Sequence, residues 1–110
     1  MLLNAQNIDG VTIVQLPEKI NITNSRAFEN DMKPLMDENA RFIFDLVQVR
    51  QLDSSGLGSI VGCMKHLRGA GGDLKLCGMS KQIRTIFEIV RMHHVFDIFP
   101  TRQEAIQSYH

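Results

Sequence analysis

The sequence predicts an α/β fold: a mixed, mainly parallel sheet of about five strands, with an antiparallel edge hairpin and four helices. Three observations carry this. Segments of strand period alternate with segments of helical period along the chain. Asp9-Gly10 stands between two apolar runs, the two-residue signal of a hairpin and hence of an antiparallel edge. The run Arg41–Val47, RFIFDLV, is apolar on both faces, as a central strand covered by helices must be.

Taken in order, Leu2–Ile8 and Val11–Leu16 form the hairpin arms, and Val11, Ile13, Val14 and Leu16 make the second arm well buried. Asn21, Thr23, Asn24 and Ser25 are each able to cap the helix that follows, in which Phe28, Met32, Leu35 and Met36 recur at helical spacing. Pro34 inside that pattern is expected to kink the helix or displace its last turn, and Asn39 to supply a left-handed stop. After the Arg41–Val47 strand, Leu57, Ile60, Val61, Met64 and Leu67 define an amphipathic second helix, which Gly69-Ala70-Gly71-Gly72 ends. Asp73–Gly78 alternates as a strand. Ser80 can cap a third helix with Ile83, Ile86, Phe87 and Val90 on one face. Val95–Phe99 is a short apolar run stopped by Pro100. Thr101-Arg102-Gln103-Glu104 is a capping box opening a last helix with Ala105, Ile106 and Tyr109.

With 110 residues, the chain is expected to be a single domain over 1–110. Apolar residues at 44% and charged residues at 22% are ordinary globular usage, which argues against disorder. Twelve basic and twelve acidic residues cancel, so there is no surplus of positive charge to attract nucleic acid or an anionic membrane. Met1-Leu2-Leu3 runs into Asn4, Gln6, Asn7 and Asp9, too polar for the core of a secretory signal, and no apolar run approaches the roughly 20 residues of a membrane span. Cys63 and Cys77 sit in apolar settings and read as small buried hydrophobes of a reducing compartment. A cytoplasmic protein is expected.

The stretch Leu52-Asp53-Ser54-Ser55-Gly56-Leu57-Gly58-Ser59 places an acid, two hydroxyls and two glycines where a strand hands over to a helix. It lacks the G-x-S-x-G of a nucleophile elbow and the Gly-Lys-Ser/Thr of a P-loop. Gly56-Leu57-Gly58-Ser59-Ile60-Val61-Gly62 is one residue longer than the dinucleotide fingerprint and begins inside the helix. His93 and His94 are adjacent, so their side chains are expected to diverge, while His66 and His110 stand alone. No acid or cysteine stands at ligand spacing for a metal. Neither an enzyme nor a cofactor site is therefore expected. Two readings of the turn remain. In one, Asp53 or Ser54 caps the helix and the glycines permit close packing. In the other, a serine hydroxyl is the substrate of another protein: phosphorylation adds roughly −1.5 to −2 charges, which a helix N-terminus tolerates and a docked partner does not. A small nucleotide- or ligand-binding domain is the bland alternative.

Asp53-Ser54-Ser55-Gly56-Leu57-Gly58 resembles the signature of STAS domains of the anti-sigma factor antagonist type. Phe42–Leu46 is similar to the family's strand before that signature. Gly71–Ser80 is similar to its G-G-x-L-x-L-x-G-x-S segment, and Ile83–Glu88, Phe96–Thr101 and Glu104–Ile106 to its later segments. The resemblance implies a partner switch: the unphosphorylated protein binds an anti-sigma factor serine kinase, phosphorylation of the first serine, Ser54, releases it, and a metal-dependent serine phosphatase resets it. Ser55 is the lesser acceptor and is expected to help cap the helix or shape the turn. Asn21, Thr23, Asp53, Ser54, Ser55, Gly56 and Leu57 are the expected partner-binding residues, with Leu57 divided between core packing and a rim contact. No nucleic acid or membrane partner is expected, and a homodimer is left open. Two positions depart from the pattern: Asn21 stands where the family has an Asp, and Lys81 where it has a Pro. The same switch could serve a non-sigma output such as a response-regulator phosphatase, a secretion system or motility. A non-phosphorylated STAS subunit of a lipid-trafficking transporter is the alternative of a different class.

Overall fold

Apolar side chains on both faces of the central strands must be buried on each side, and the protein meets that demand with helices on both sides of one sheet. The computed structural model describes residues 4–110; the start of the expected first strand, Leu2 and Leu3, lies outside the described residues. The strands are β1 (Asn4–Ile8), β2 (Val11–Gln15), β3 (Lys19–Ile20), β4 (Arg41–Asp45), β5 (Gln51–Leu52), β6 (Asp73–Cys77) and β7 (Ile98–Phe99). The helices are α1 (Ser25–Met32), α2 (Ser54–Gly69), α3 (Lys81–Ile89) and α4 (Arg102–Gln107). The main sheet has the order β1-β2-β4-β6-β7, antiparallel at β1–β2 and parallel elsewhere. Asp9 and Gly10 both adopt positive φ, 53° and 81°, the conformation that the hairpin turn demands.

Register decides which side chains meet. Val14, Phe44, Leu76 and Ile98 lie in one row across β2, β4, β6 and β7. With Phe28, Ile60, Leu67, Ile83 and Phe87 from α1, α2 and α3, they build the main core. The opposite face presents Val11, Ile13, Ile43 and Cys77, covered by Ala105 of α4 with Ile106 and Tyr109 beside it. Lys75 points into this second face. Its ammonium donates to the Ser108 hydroxyl at 2.8 Å and lies 4.2 Å from the Tyr109 ring centroid, so the charge is satisfied where it is buried. The Tyr109 hydroxyl donates to the Phe42 carbonyl at 2.8 Å, tying the chain's end to the central strand.

Several expectations needed correction. The Arg41–Val47 strand stops at Asp45, whose carboxylate accepts from the Val47 N–H at 3.0 Å, and Val47 swings out to 61% exposure. Leu35 is exposed instead of on the buried face, because Pro34, as expected, displaces the end of α1 into a 3-10 turn over Lys33–Leu35. Val95–Phe99 is a strand only at Ile98–Phe99. A 3-10 turn over Met92–His94 precedes it, entered through Arg91 at φ 60°. In that turn the rings of His93 and His94 do not diverge: their centroids are 3.9 Å apart. Asn39 does take the left-handed conformation expected of it, at φ 59°.

Cys63 and Cys77 are free thiols, one under each face of the sheet. Burial, with Glu29 beside Cys63 and Asp45 beside Cys77, pushes both from 9.0 up to about 12; Arg102 opposes this at Cys77. The native thiols hold protons that an unfolded chain releases near pH ~8.5. Their contribution to stability is therefore complete below that pH and is lost as pH rises towards 12. A disulfide-exchange reagent at pH about 8 is expected to leave both thiols unmodified in the folded protein and to titrate two in denaturant. Rapid reaction of either thiol in the native state would contradict this burial.

Candidate functional site

The serine turn is positioned by a piece of structure with no periodic signal, the two-residue strands β3 and β5. They pair in parallel, Lys19 with Gln51 and Ile20 with Leu52, apart from the main sheet. Arg50 and Gln51 both donate backbone N–H bonds to the Glu18 carbonyl, and Asp53 N–H reaches Ile20 O at 3.3 Å. This ribbon carries the chain from the end of β4 to the start of α2. The α2 helix then begins at Ser54, with Ile60, Cys63, Met64 and Leu67 facing the core.

Asp53 is the cap of that helix. Its Oδ1 accepts from the Gly56 N–H at 2.8 Å, and its Oδ2 accepts from the Ile22 N–H at 3.1 Å. One carboxylate thus ties the helix N-terminus to the loop between β3 and α1. That loop is closed from within. Asn21 Oδ1 accepts from the Thr23 N–H and the Thr23 hydroxyl, Asn24 Oδ1 accepts from the Asn21 N–H, and Asn24 Nδ2 donates to Lys19 O. Asn24 occupies the cap position of α1 but spends its side chain on this loop rather than on the helix. Asn21 and Thr23, singled out from the sequence, are therefore brought beside Asp53.

Ser54 and Ser55 occupy the first two positions of α2. Ser54 is exposed, Ser55 half-buried, and neither hydroxyl makes a hydrogen bond to another described residue. Ser55 does not cap the helix; Asp53 does, because only a side chain one residue outside the helix reaches back to the third N–H. Gly56 is buried against β3, where a Cβ would lie 2.2 Å from Ile20 O. Leu57 is half-buried and packed against the main core. Ile22, Leu52, Asp53, Gln82 and Ile86 line an open groove beside the turn, and Ile22 is 75% exposed there. Sequence reasoning missed Ile22; an isolated apolar residue between Asn21 and Thr23 carries no periodic signal.

The arrangement offers a hydroxyl at the start of a 16-residue helix, where unpaired N–H groups and the positive end of the dipole favour an anion. Among the described residues no three His, Cys, Asp or Glu side chains gather as metal ligands. No described helix is long and apolar enough to cross a membrane.

Truncating Asp53 tests its double role. Asp53→Ala is expected to cost about 1–2 kcal/mol, because it removes a helix cap and a loop tether together. Asp53→Asn, which keeps one acceptor for Gly56, is expected to lose about half as much. Urea midpoints measure both, and an Asp53→Asn variant as stable as wild type would show that the second oxygen holds nothing.

Known proteins share this architecture. The anti-sigma-B factor antagonist of Bacillus subtilis is 28% identical over 94 residues, spanning 86% of each chain. The crystal structure of a Thermotoga maritima protein, provisionally named an anti-sigma factor antagonist, superposes with a TM-score of 0.87 at 24% identity, covering 96% of this chain and 92% of that one. The Bacillus cell fate determinant SpoIIAA in its phosphorylated form superposes with a TM-score of 0.75 at 18% identity, covering 99% and 100%. At these identities the two structures speak for the fold alone. The STAS domain family itself matches residues 3–105, nearly the whole chain, and the protein belongs to that family.

Proposed function

We propose that the protein is an anti-sigma factor antagonist that works as a partner switch. In its unmodified form it binds an anti-sigma factor that is also a serine kinase; phosphorylation at Ser54 ends that complex, and a metal-dependent serine phosphatase restores it. The observation that carries this reading is the state of Ser54: exposed, its hydroxyl free, at the first position of a helix whose cap is already supplied by Asp53. Capping does not need this serine, so a hydroxyl is left for modification. The fold of SpoIIAA exists in a phosphorylated form, so the architecture is compatible with the charge.

The physics of release is interfacial. A phosphate on Ser54 joins the Asp53 carboxylate on one small surface, and a partner docked there must desolvate both charges. The helix N-terminus meanwhile stabilises the phosphate in the free protein. The modification thus changes binding and leaves the fold in place.

Ser54→Glu is expected to weaken binding to the cognate kinase about a hundred-fold, whereas Ser54→Ala keeps wild-type affinity. Titration calorimetry against candidate kinases from the same genome reads both. Equal affinities for Ser54→Glu and wild type would remove the switch. Thermal melting of Ser54→Glu within a few degrees of wild type would confirm that the fold is unchanged.

A further inference from the structure

The groove beside the serine turn continues along the C-terminal edge of the sheet. A second depression adjoins it, sharing Arg50 and Gln82 and adding Val47, Val49, Ser80 and Lys81. Its charges are unbalanced. Arg50 and Lys81 are exposed and make no ion pair with any described residue. The acid on the same surface, Asp53, spends one oxygen on Gly56 N–H and the other on Ile22 N–H. Glu18 borders the outer side of Arg50, across Val47 and Gln48, without pairing to it. Asn21 and Lys81 line the two ends of this surface. Ile22 at 75% exposure and Val47 at 61% add apolar surface beside the cations.

We propose that this edge is a docking groove for an acidic segment of the partner protein, with Arg50 and Lys81 meeting its carboxylates and Ile22 and Val47 its apolar side chains. The inference rests on the partner-switch reading for the partner's being a protein. The charge argument stands on the groove itself. Free cations flanked by exposed apolar residues are complementary to an extended acidic and apolar chain. A small anion on the same cations is the competing occupant, and inorganic phosphate tests for it. The partner is thereby specified as one whose contact surface carries the opposite charge, which sets its choice among related kinases.

The test uses the whole protein, labelled with 15N and titrated with a synthetic peptide of about ten alternating Glu and Val residues. The expected result is shifts confined to the amides of Ile22, Arg50, Gln51, Lys81 and Gln82. Affinity should fall about tenfold or more in the exposed double variant Arg50→Glu/Lys81→Glu and fall again at high salt. A Lys-Val peptide should leave those amides unmoved. No shifts, equal shifts from the Lys-Val peptide, or the same shifts from inorganic phosphate at equal affinity would each overturn the proposal, the last assigning the groove to small anions. The switch fails separately. If a kinase phosphorylates Ser54 but binds the double variant as tightly as wild type, the acidic-partner inference falls and the switch stands. If the Glu-Val peptide binds but no active kinase modifies Ser54, the groove stands and the switch falls.

Discussion

Gly56→Ala is expected to destabilise the protein by about 3 kcal/mol and to displace the serine turn. The new Cβ would lie 2.2 Å from the Ile20 carbonyl oxygen and 2.7 Å from its carbon. Both atoms are backbone, and Ile20 is fully buried and paired to Leu52, so neither can step aside cheaply. The α2 N-terminus must lift away from β3, which breaks the Asp53 link to Ile22 and moves Ser54. Gly58→Ala is the control, since nothing lies within 4 Å of its added Cβ. Removing a glycine from a helix interior is expected to stabilise the protein by about 0.5–1 kcal/mol. Urea unfolding of the two variants should therefore move in opposite directions. Matching losses at both positions would mean that close approach to β3 is not what Gly56 provides.

Asp45→Ala is expected to cost about 3 kcal/mol. The carboxylate is buried at the end of β4, where Oδ2 accepts from Arg102 Nη2 at 2.8 Å and Nε at 3.1 Å, and Oδ1 accepts from the Val47 N–H at 3.0 Å. Its loss leaves a partly buried guanidinium without its ion and a backbone N–H without its acceptor. Arg102 opens α4, whose Ala105 packs against the same sheet face as Cys77. Loosening α4 should therefore make Cys77 reactive to a thiol reagent while Cys63, on the buried face of α2, stays protected. Unfolding measurements and peptide mapping of the labelled thiol give both readouts. Uniform protection of Cys77 in the variant would show that α4 is held by its apolar contacts alone.

What the sequence made legible follows from how locally each element is determined. The hairpin at Asp9-Gly10, the caps at Ser80 and Thr101 and the buried stripe of α2 are all set by residues within a few positions of one another, and each stands where expected. The mixed five-stranded sheet with an antiparallel edge followed from their order. The β3–β5 ribbon was not legible. Its strands have two residues each, too few for any period, and its partners are separated by 32 positions. The contact of Arg102 with Asp45, across 57 positions, is invisible for the same reason.

The site divides in the same way. The serine motif stood out because an acid, two hydroxyls and two glycines between a strand and a helix are chemically conspicuous. The cap was assigned to either Asp53 or Ser54 from the sequence, and the geometry selects Asp53. That Asp53 also holds the Asn21–Asn24 loop, and that Ile22 is exposed beside it, depends on tertiary placement. Val47 misled for a physical reason: an apolar residue continuing an apolar strand reads as core, yet the strand ends once Asp45 has turned its carboxylate to the Val47 N–H.

The central claim is that Ser54 is a target for a kinase. The most direct measurement is the intact mass of the protein after incubation with ATP and candidate anti-sigma kinases from its own genome, followed by fragmentation to locate any phosphate. The account predicts one added phosphate, on Ser54, absent from Ser54→Ala. A phosphate that persists in Ser54→Ala, or none with any active kinase acting on the folded protein, would contradict it.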